Sequence, residues 1–224
     1  MSTAQPRPRP AILFDLDGTL IDTIELIVSS ALHAFEGWPG AVPTEEEWIR
    51  GIGTPLVEQL RGYASDEADV AVLLERYRAY QHIHHDRLTR CYDGVPDVVA
   101  RLAGRGYPMA IVTSKASYVA KQSLEWVRLA SYFPVVIGYD ETTRHKPDPE
   151  PVLVALERVG ATANRAAFVG DSPHDIRAGN AAGVVTIAAT WGPFSRETLA
   201  AARPNHFIEC LADLPGVLDR AFGA

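Results

Sequence analysis

Asp15 and Asp17 stand two residues apart where the apolar run AILF ends, and Gly18 follows them. Period-two alternation of side chains lets both carboxylates point to one side before the glycine turns the chain. On its own, DLDG is equally a strand-to-turn signal, since Asp and Gly are common turn residues. A second cluster, FVGDSPHDI, puts Asp171 after another apolar run and Asp175 four residues later, in the first turn of the next helix and on the same face. Acids at a helix start also complement the macrodipole. The two clusters together say more, because ligands in open α/β sheets bind beyond the carboxyl ends of strands at a topological switch point. Four carboxylates would then share one crevice. Two like charges ~4 Å apart repel by ~4 kcal/mol at an effective dielectric of 20, so the cluster must take up protons or a cation. Asp and carbonyl oxygens are hard donors and the sequence around them offers no His or Cys cluster, which favours Mg²⁺ over zinc.

Two further stretches add positive and hydrogen-bonding character. IVTSK ends an apolar run with Thr113 and Ser114, whose hydroxyls and amides can hold an anion at a helix start or simply cap that helix. HKPDPEP puts Lys146 before a proline-marked helix start, where a lysine is otherwise an ordinary solvated charge. The ordered set DxDGT, TS, KPDP and GDxxxD, each at a strand-to-helix transition, is the pattern of a built catalytic site.

The elements that must position these residues follow from periodicity. AILF reads as a buried strand, and Asp22 to Glu25 as a capping box opening a helix through Phe35. Two shorter helices flank the RGIGTPL break, and a long helix follows Asp66 and runs to about Leu88. After Asp93 and Gly94 the rhythm becomes helix and strand in alternation, with strands over 107–112, 134–137, 166–169 and 184–188. That alternation predicts an α/β fold, a Rossmann-like doubly wound parallel sheet covered on both faces. The expected organisation is an α/β core from residues 11–21 and 89–224, a helical cap domain over 22–88, and a disordered tail over 1–10.

Composition sets limits. The chain has 224 residues, 47% of them hydrophobic, enough for a sizeable core. A net charge of −7 repels nucleic-acid backbones, so no nucleic acid is expected as a partner. No apolar run is long enough to span a membrane, and no membrane partner is expected. The two cysteines, Cys91 and Cys210, form no disulfide framework, which fits a reducing, cytoplasmic setting.

At DLDGTL, Thr113, Lys146 and GDSPHD the sequence resembles the haloacid dehalogenase (HAD) superfamily, and the resemblance extends from Ile12 to the C-terminus. It implies a core sheet of order 5-4-1-2-3 with the active site under a small helical cap. It further implies Asp15 as nucleophile, forming an aspartyl-phosphate, and Asp17 as general acid and base. Mg²⁺ would be bound by Asp15, the Asp17 carbonyl and Asp171, with Asp175 close by through water or Lys146. Thr113, Lys146 and the amides around Gly18 and Ser114 would hold the phosphoryl oxygens. Because Asp17 is present, the resemblance points away from the metal-free dehalogenase branch.

ELIVSSALHAF, IGTPL, YRAY, IVTSK and KPDPEP look especially like phosphoglycolate phosphatases and the HAD-type inorganic pyrophosphatases. The implied substrate is a small phosphorylated anion, and the protein is expected to be a monomer or homodimer. A phosphatase for a sugar or nucleoside phosphate, and a β-phosphoglucomutase-like mutase, share all these motifs. In the cap, Arg50 either pairs with a second anionic group of the substrate or is a surface arginine beside a helix-breaking glycine. His82, His84 and His85 read more simply as cationic residues at a helix C-terminus than as a second metal site.

Overall fold

The computed structural model describes residues 9–223. The disordered tail expected over 1–10 lies outside the described residues up to residue 8. Residues 9 and 10 are packed against the fold: Pro10 is buried and the Arg9 guanidinium lies 5.2 Å over the Tyr107 ring.

Six parallel strands make the central sheet: β1 (Ala11–Phe14), β4 (Met109–Val112), β5 (Val135–Ile137), β6 (Ala166–Gly170), β7 (Val185–Ala189) and β8 (His206–Ile208). Their order is β5-β4-β1-β6-β7-β8, the expected ladder with one strand added at the β7 edge. β1 is central, and its register pairs Phe14 with Ile111 on one side and with Val169 on the other. Chain connections leave β1 in opposite directions, so its carboxyl end is the switch point where open sheets bind ligands.

Both faces of the sheet are covered, which explains strands that are apolar throughout. Ile12, Phe14, Met109 and Ile111 face a core completed by α5 (Val95–Gly104), α6 (Ser117–Trp126) and α10 (Leu214–Phe222). Ala11, Leu13, Ala110 and Val112 face the opposite core, built with α7 (Glu150–Val159) and α8 (Pro173–Ala182). α9 (Arg196–Ala201) packs Leu199 beside Ile176 and Ala188.

The helical segment contains α1 (Ile24–Ala34), α2 (Glu45–Arg50), α3 (Leu56–Arg61) and α4 (Glu67–His84). It has its own core of Phe35, Trp48, Leu60, Leu73 and Tyr77. Phe35 meets Trp48 edge-on at 6.0 Å, and truncating either aromatic should cost ~3–5 kcal/mol. The segment leaves and rejoins the sheet through one antiparallel ribbon, β2 (Ile21–Asp22) against β3 (Arg90–Cys91).

Two local expectations are corrected. No capping box forms at Asp22 to Glu25: Thr23 is the N-cap of α1, and its hydroxyl donates to Asp17 instead of capping the helix. Asp22 pairs with Arg90 across the ribbon at 2.8 Å. The long helix ends at His84 rather than near Leu88, and its last turn is followed by a buried His85.

Candidate active site

The four strand-end segments converge at the carboxyl edge of β1. Asp15 is the first residue beyond β1, Asp171 the first beyond β6, and Asp175 occupies the first turn of α8. Lys146, in the loop before α7, joins them: its Nζ lies 2.9 Å from Asp15 Oδ1, 2.6 Å from Asp175 Oδ1 and 3.2 Å from the Val112 carbonyl. All four side chains are buried. Asp175 also accepts the Ser172 amide and hydroxyl through Oδ2, closing a capping box at the start of α8. Its helix-capping and lysine-holding roles therefore use different oxygens.

Asp171 is held differently. Its Oδ1 accepts the Thr19 hydroxyl at 2.6 Å, while its Oδ2 is buried without a hydrogen-bond partner. Backbone presses on it from two sides: a Cβ on Gly18, whose φ is +82°, would come within 2.4 Å of Asp171 Oδ2, and one on Gly192 within 2.5 Å. Only glycine fits that approach at Gly18, because the backbone is left-handed and the space is filled.

Electrostatics reflect the crowding. Burial first, then the neighbouring Asp175, pushes the Asp15 carboxyl up to about 7 despite Lys146. Burial and the charges of Asp15 and Asp175 raise Asp171 well above the usual carboxylate range. Burial alone would lower Lys146, but Asp15 and Asp175 hold its ammonium above its ordinary value. Asp15, Asp171 and Asp175 offer oxygens all within 4.8 Å of one another, and among the described residues they form the one cluster of three or more ligating side chains. The unpartnered Asp171 oxygen in an all-oxygen cluster is what a hard divalent cation would satisfy, so the residues present fit one.

Asp17 turns away from that cluster. Its Oδ1 accepts from Lys115 Nζ at 2.6 Å and from the Thr23 hydroxyl, and it lines the same cavity as Asp15. That cavity, about 100 Å³ between the sheet edge and the helical segment, is also lined by Thr113, Ser114 and Lys146. It lies far below the ~300–1,000 Å³ of drug-sized ligand sites, which limits the occupant to a small molecule.

Ser114 and Arg50, also candidates for anion binding, are placed differently from Thr113 and Lys146. The Ser114 hydroxyl donates to the Gly53 carbonyl at 2.5 Å, bridging the core to the helical segment, so only its amide is left to face a ligand. Arg50 is exposed and does not line the cavity. Trp48 is buried in the core of the helical segment and sets the rotation of α2, which leaves Arg50 on the outer side with Glu47 and Tyr63. Tyr77, Arg78 and Gln81 of α4 line the cavity instead. The histidines make no cluster: His85 bonds Asp86 and Ser123 through its two ring nitrogens, and His84 stacks on Tyr80 at 4.2 Å.

Several site residues were missed. Lys115 is the last letter of the IVTSK stretch and Thr19 belongs to DLDGT, so each stood beside a residue already singled out. Gly192 and the Trp191 ring, which donates to the Thr19 carbonyl at 3.1 Å, follow β7 with no motif to mark them.

Residues 12–189 match the haloacid dehalogenase-like hydrolase family. A pyrophosphatase PpaX of Anoxybacillus flavithermus is 39% identical over 207 residues, covering 92% of this chain and 95% of its own. The Bacillus velezensis pyrophosphatase PpaX is 38% identical over 204 residues, covering 91% and 94%. Among solved structures, a predicted phosphatase from Clostridium acetobutylicum superposes with a TM-score of 0.83 at 26% identity, over 95% of this chain and 99% of its own. A hydrolase from Pseudomonas syringae reaches 0.85 at 21% identity, over 95% and 99%.

Proposed function

We propose, for a chain that belongs to the haloacid dehalogenase-like hydrolase family and is a phosphatase-type hydrolase, that it is Mg²⁺-dependent and hydrolyses a small phosphate monoester or pyrophosphate. One observation carries this reading: Lys146 ties Asp15 to Asp175 beside the unpartnered oxygen of Asp171, and Asp15 and Lys146 line a small cavity.

In the proposed reaction an Asp15 oxygen attacks phosphorus in line, and the bond from phosphorus to the leaving oxygen breaks. Asp17, which lines the same cavity, gives that oxygen a proton. Water then attacks the aspartyl-phosphate, loses its proton to Asp17, and displaces the Asp15 oxygen. Lys146 and Thr113, with the amides near Gly18 and Ser114, hold the transferring oxygens. Asp175 positions Lys146. Mg²⁺, held by Asp15, Asp171 and the Asp17 carbonyl, would supply the charge neutralisation that lets an anionic phosphate approach an anionic nucleophile.

The test is phosphate release from phosphoglycolate, pyrophosphate, sugar phosphates and nucleotides, with and without Mg²⁺. Metal-dependent release from at least one small substrate is the expected result, and full turnover in excess EDTA would remove the metal role.

A further inference from the structure

One face of α4 is turned to the cavity. Leu74, Tyr77, Arg78 and Gln81 stand at i, i+3, i+4 and i+7, neighbouring positions on a helix surface, and all four line it. Asp15, Asp17 and Lys146 line the same space from the sheet edge. A guanidinium and a carboxamide of the helical segment thus share one small enclosure with the groups that would handle phosphate.

The charges of that lining are matched except at one point. Lys146 is countered by Asp15 and Asp175, and Lys115 by Asp17. Arg78 has no ion pair and no hydrogen bond among the described residues, and the Gln81 and Thr54 side chains in the same lining have no hydrogen bond there either. An exposed arginine within a helix is ordinarily a solvated charge. This one belongs to the wall of the cavity that holds Asp15, and it is the lining cation without a counter-charge. Its planar fork matches two oxygens of a phosphoryl or carboxylate group. The cavity, about 100 Å³, has room for little beyond the phosphoryl group being transferred, so a second anionic group would follow directly or after a short link.

Deepening the phosphatase reading above, on which it rests, we propose that Arg78 is a specificity-determining residue. Its guanidinium holds a second anionic group of the substrate, a phosphoryl or a carboxylate. The enzyme therefore selects small, doubly anionic phosphates over esters whose remainder is neutral.

The experiment is calorimetric titration of the Mg²⁺-loaded full chain with three non-hydrolysable probes. Methylenediphosphonate carries a second phosphoryl group, 3-phosphonopropionate a carboxylate, and propylphosphonate has nearly the shape of the latter with no second charge. At least one of the first two should bind roughly 10–100-fold more tightly than propylphosphonate, the value of a charge-assisted hydrogen bond or two, and the tighter of them identifies the second group. Arg78→Met, a good helix former at an exposed position, should abolish that preference and leave propylphosphonate within about twofold of the parent. Arg78→Lys, which keeps the charge and loses the fork, should retain part of it. Equal affinities for all three probes in the parent, a preference that survives Arg78→Met, or a uniform loss on all three probes overturns the inference, while phosphate release by the parent keeps the phosphatase reading in place. A parent that releases no phosphate from any compound of the screen above overturns that reading and the inference with it.

Discussion

Lys115 Nζ lies 2.6 Å from Asp17 Oδ1, and the two side chains are only 8% and 12% exposed. The Thr23 hydroxyl donates to the same oxygen, so a lysine from the sheet edge and a threonine from the start of α1 fix one carboxylate. A general acid has to be aimed as well as present. Lys115→Met is therefore expected to lower kcat by about 10²-fold, within the range general acid–base catalysis contributes, with a smaller change in KM. Steady-state phosphate release checks it, and an unaltered kcat would show that Asp17 needs no such support.

Asp15→Asn should reduce turnover by at least ~10³-fold, because an amide is not a nucleophile toward phosphorus. The same change removes one charge from a crowded buried cluster, so the thermal midpoint should hold or rise. Calorimetry beside a phosphate assay separates this outcome from simple unfolding, and retained activity would overturn the nucleophile assignment.

Mg²⁺ should stabilise the protein, by ~2.7 kcal/mol at a hundredfold excess over Kd. Among the described residues Asp171 Oδ2 is the one buried carboxylate oxygen without a partner, and Asp171→Asn should abolish the magnesium-induced rise in melting temperature. An equal rise in that variant would place the ion elsewhere.

The pH dependence of the metal-free protein has a definite sign. Asp15 titrates at about 7 in the fold and near ~3.9 in the unfolded chain, with Asp171 shifted the same way. Between those values the folded state holds protons that the unfolded state has lost, so stability is full below ~4 and falls as pH rises through 7. Melting of EDTA-treated protein from pH 5 to 8 should show a decline of roughly 10 °C, which saturating Mg²⁺ should suppress. A midpoint independent of pH in EDTA would mean the cluster is not coupled to folding.

Ser114→Ala removes the hydrogen bond that ties the sheet edge to the Gly53 carbonyl. Gly53 sits at φ +100° against Ser172 and His174, so this loop is where the helical segment docks on the core. The expected result is a KM raised roughly 3–10-fold, the value of one hydrogen bond, with a lesser effect on kcat. Faster limited proteolysis around residues 37–55 would accompany it, and kinetics and cleavage rates equal to those of the parent would dismiss the latch.

What sequence reasoning captured and what it missed divide along a physical line. Asp15 and Asp171 follow buried strands, and a carboxylate at the end of an apolar run has few reasons to be there, so the pattern marks it. The strands were legible because both faces of the sheet are covered, giving continuous apolar runs such as AILF and MAIV. Arg50 stayed open between two readings because its direction depends on how Trp48 seats α2, a matter of packing rather than spacing. The capping box at Asp22 was misread because the helix starts one residue later, at the Thr23 N-cap, and Asp22 is taken up by Arg90 across the ribbon. Lys115 was overlooked because its meaning comes from a partner 98 residues away. Gly192 matters only through its approach to Asp171, which no local pattern encodes.

The ribbon of Ile21–Asp22 and Arg90–Cys91 makes both covalent links to the helical segment pass through one spot. Asp15, Asp17, Thr113, Lys146 and Asp171 all lie outside the enclosed stretch. Another insert that closes onto two neighbouring antiparallel strands could take its place and leave all five in the core, provided it keeps a donor such as the Thr23 hydroxyl for Asp17. Diversification of what the enzyme accepts is thereby uncoupled from conservation of how it reacts, and exchange of residues 22–90 between related chains is the natural way to engineer it.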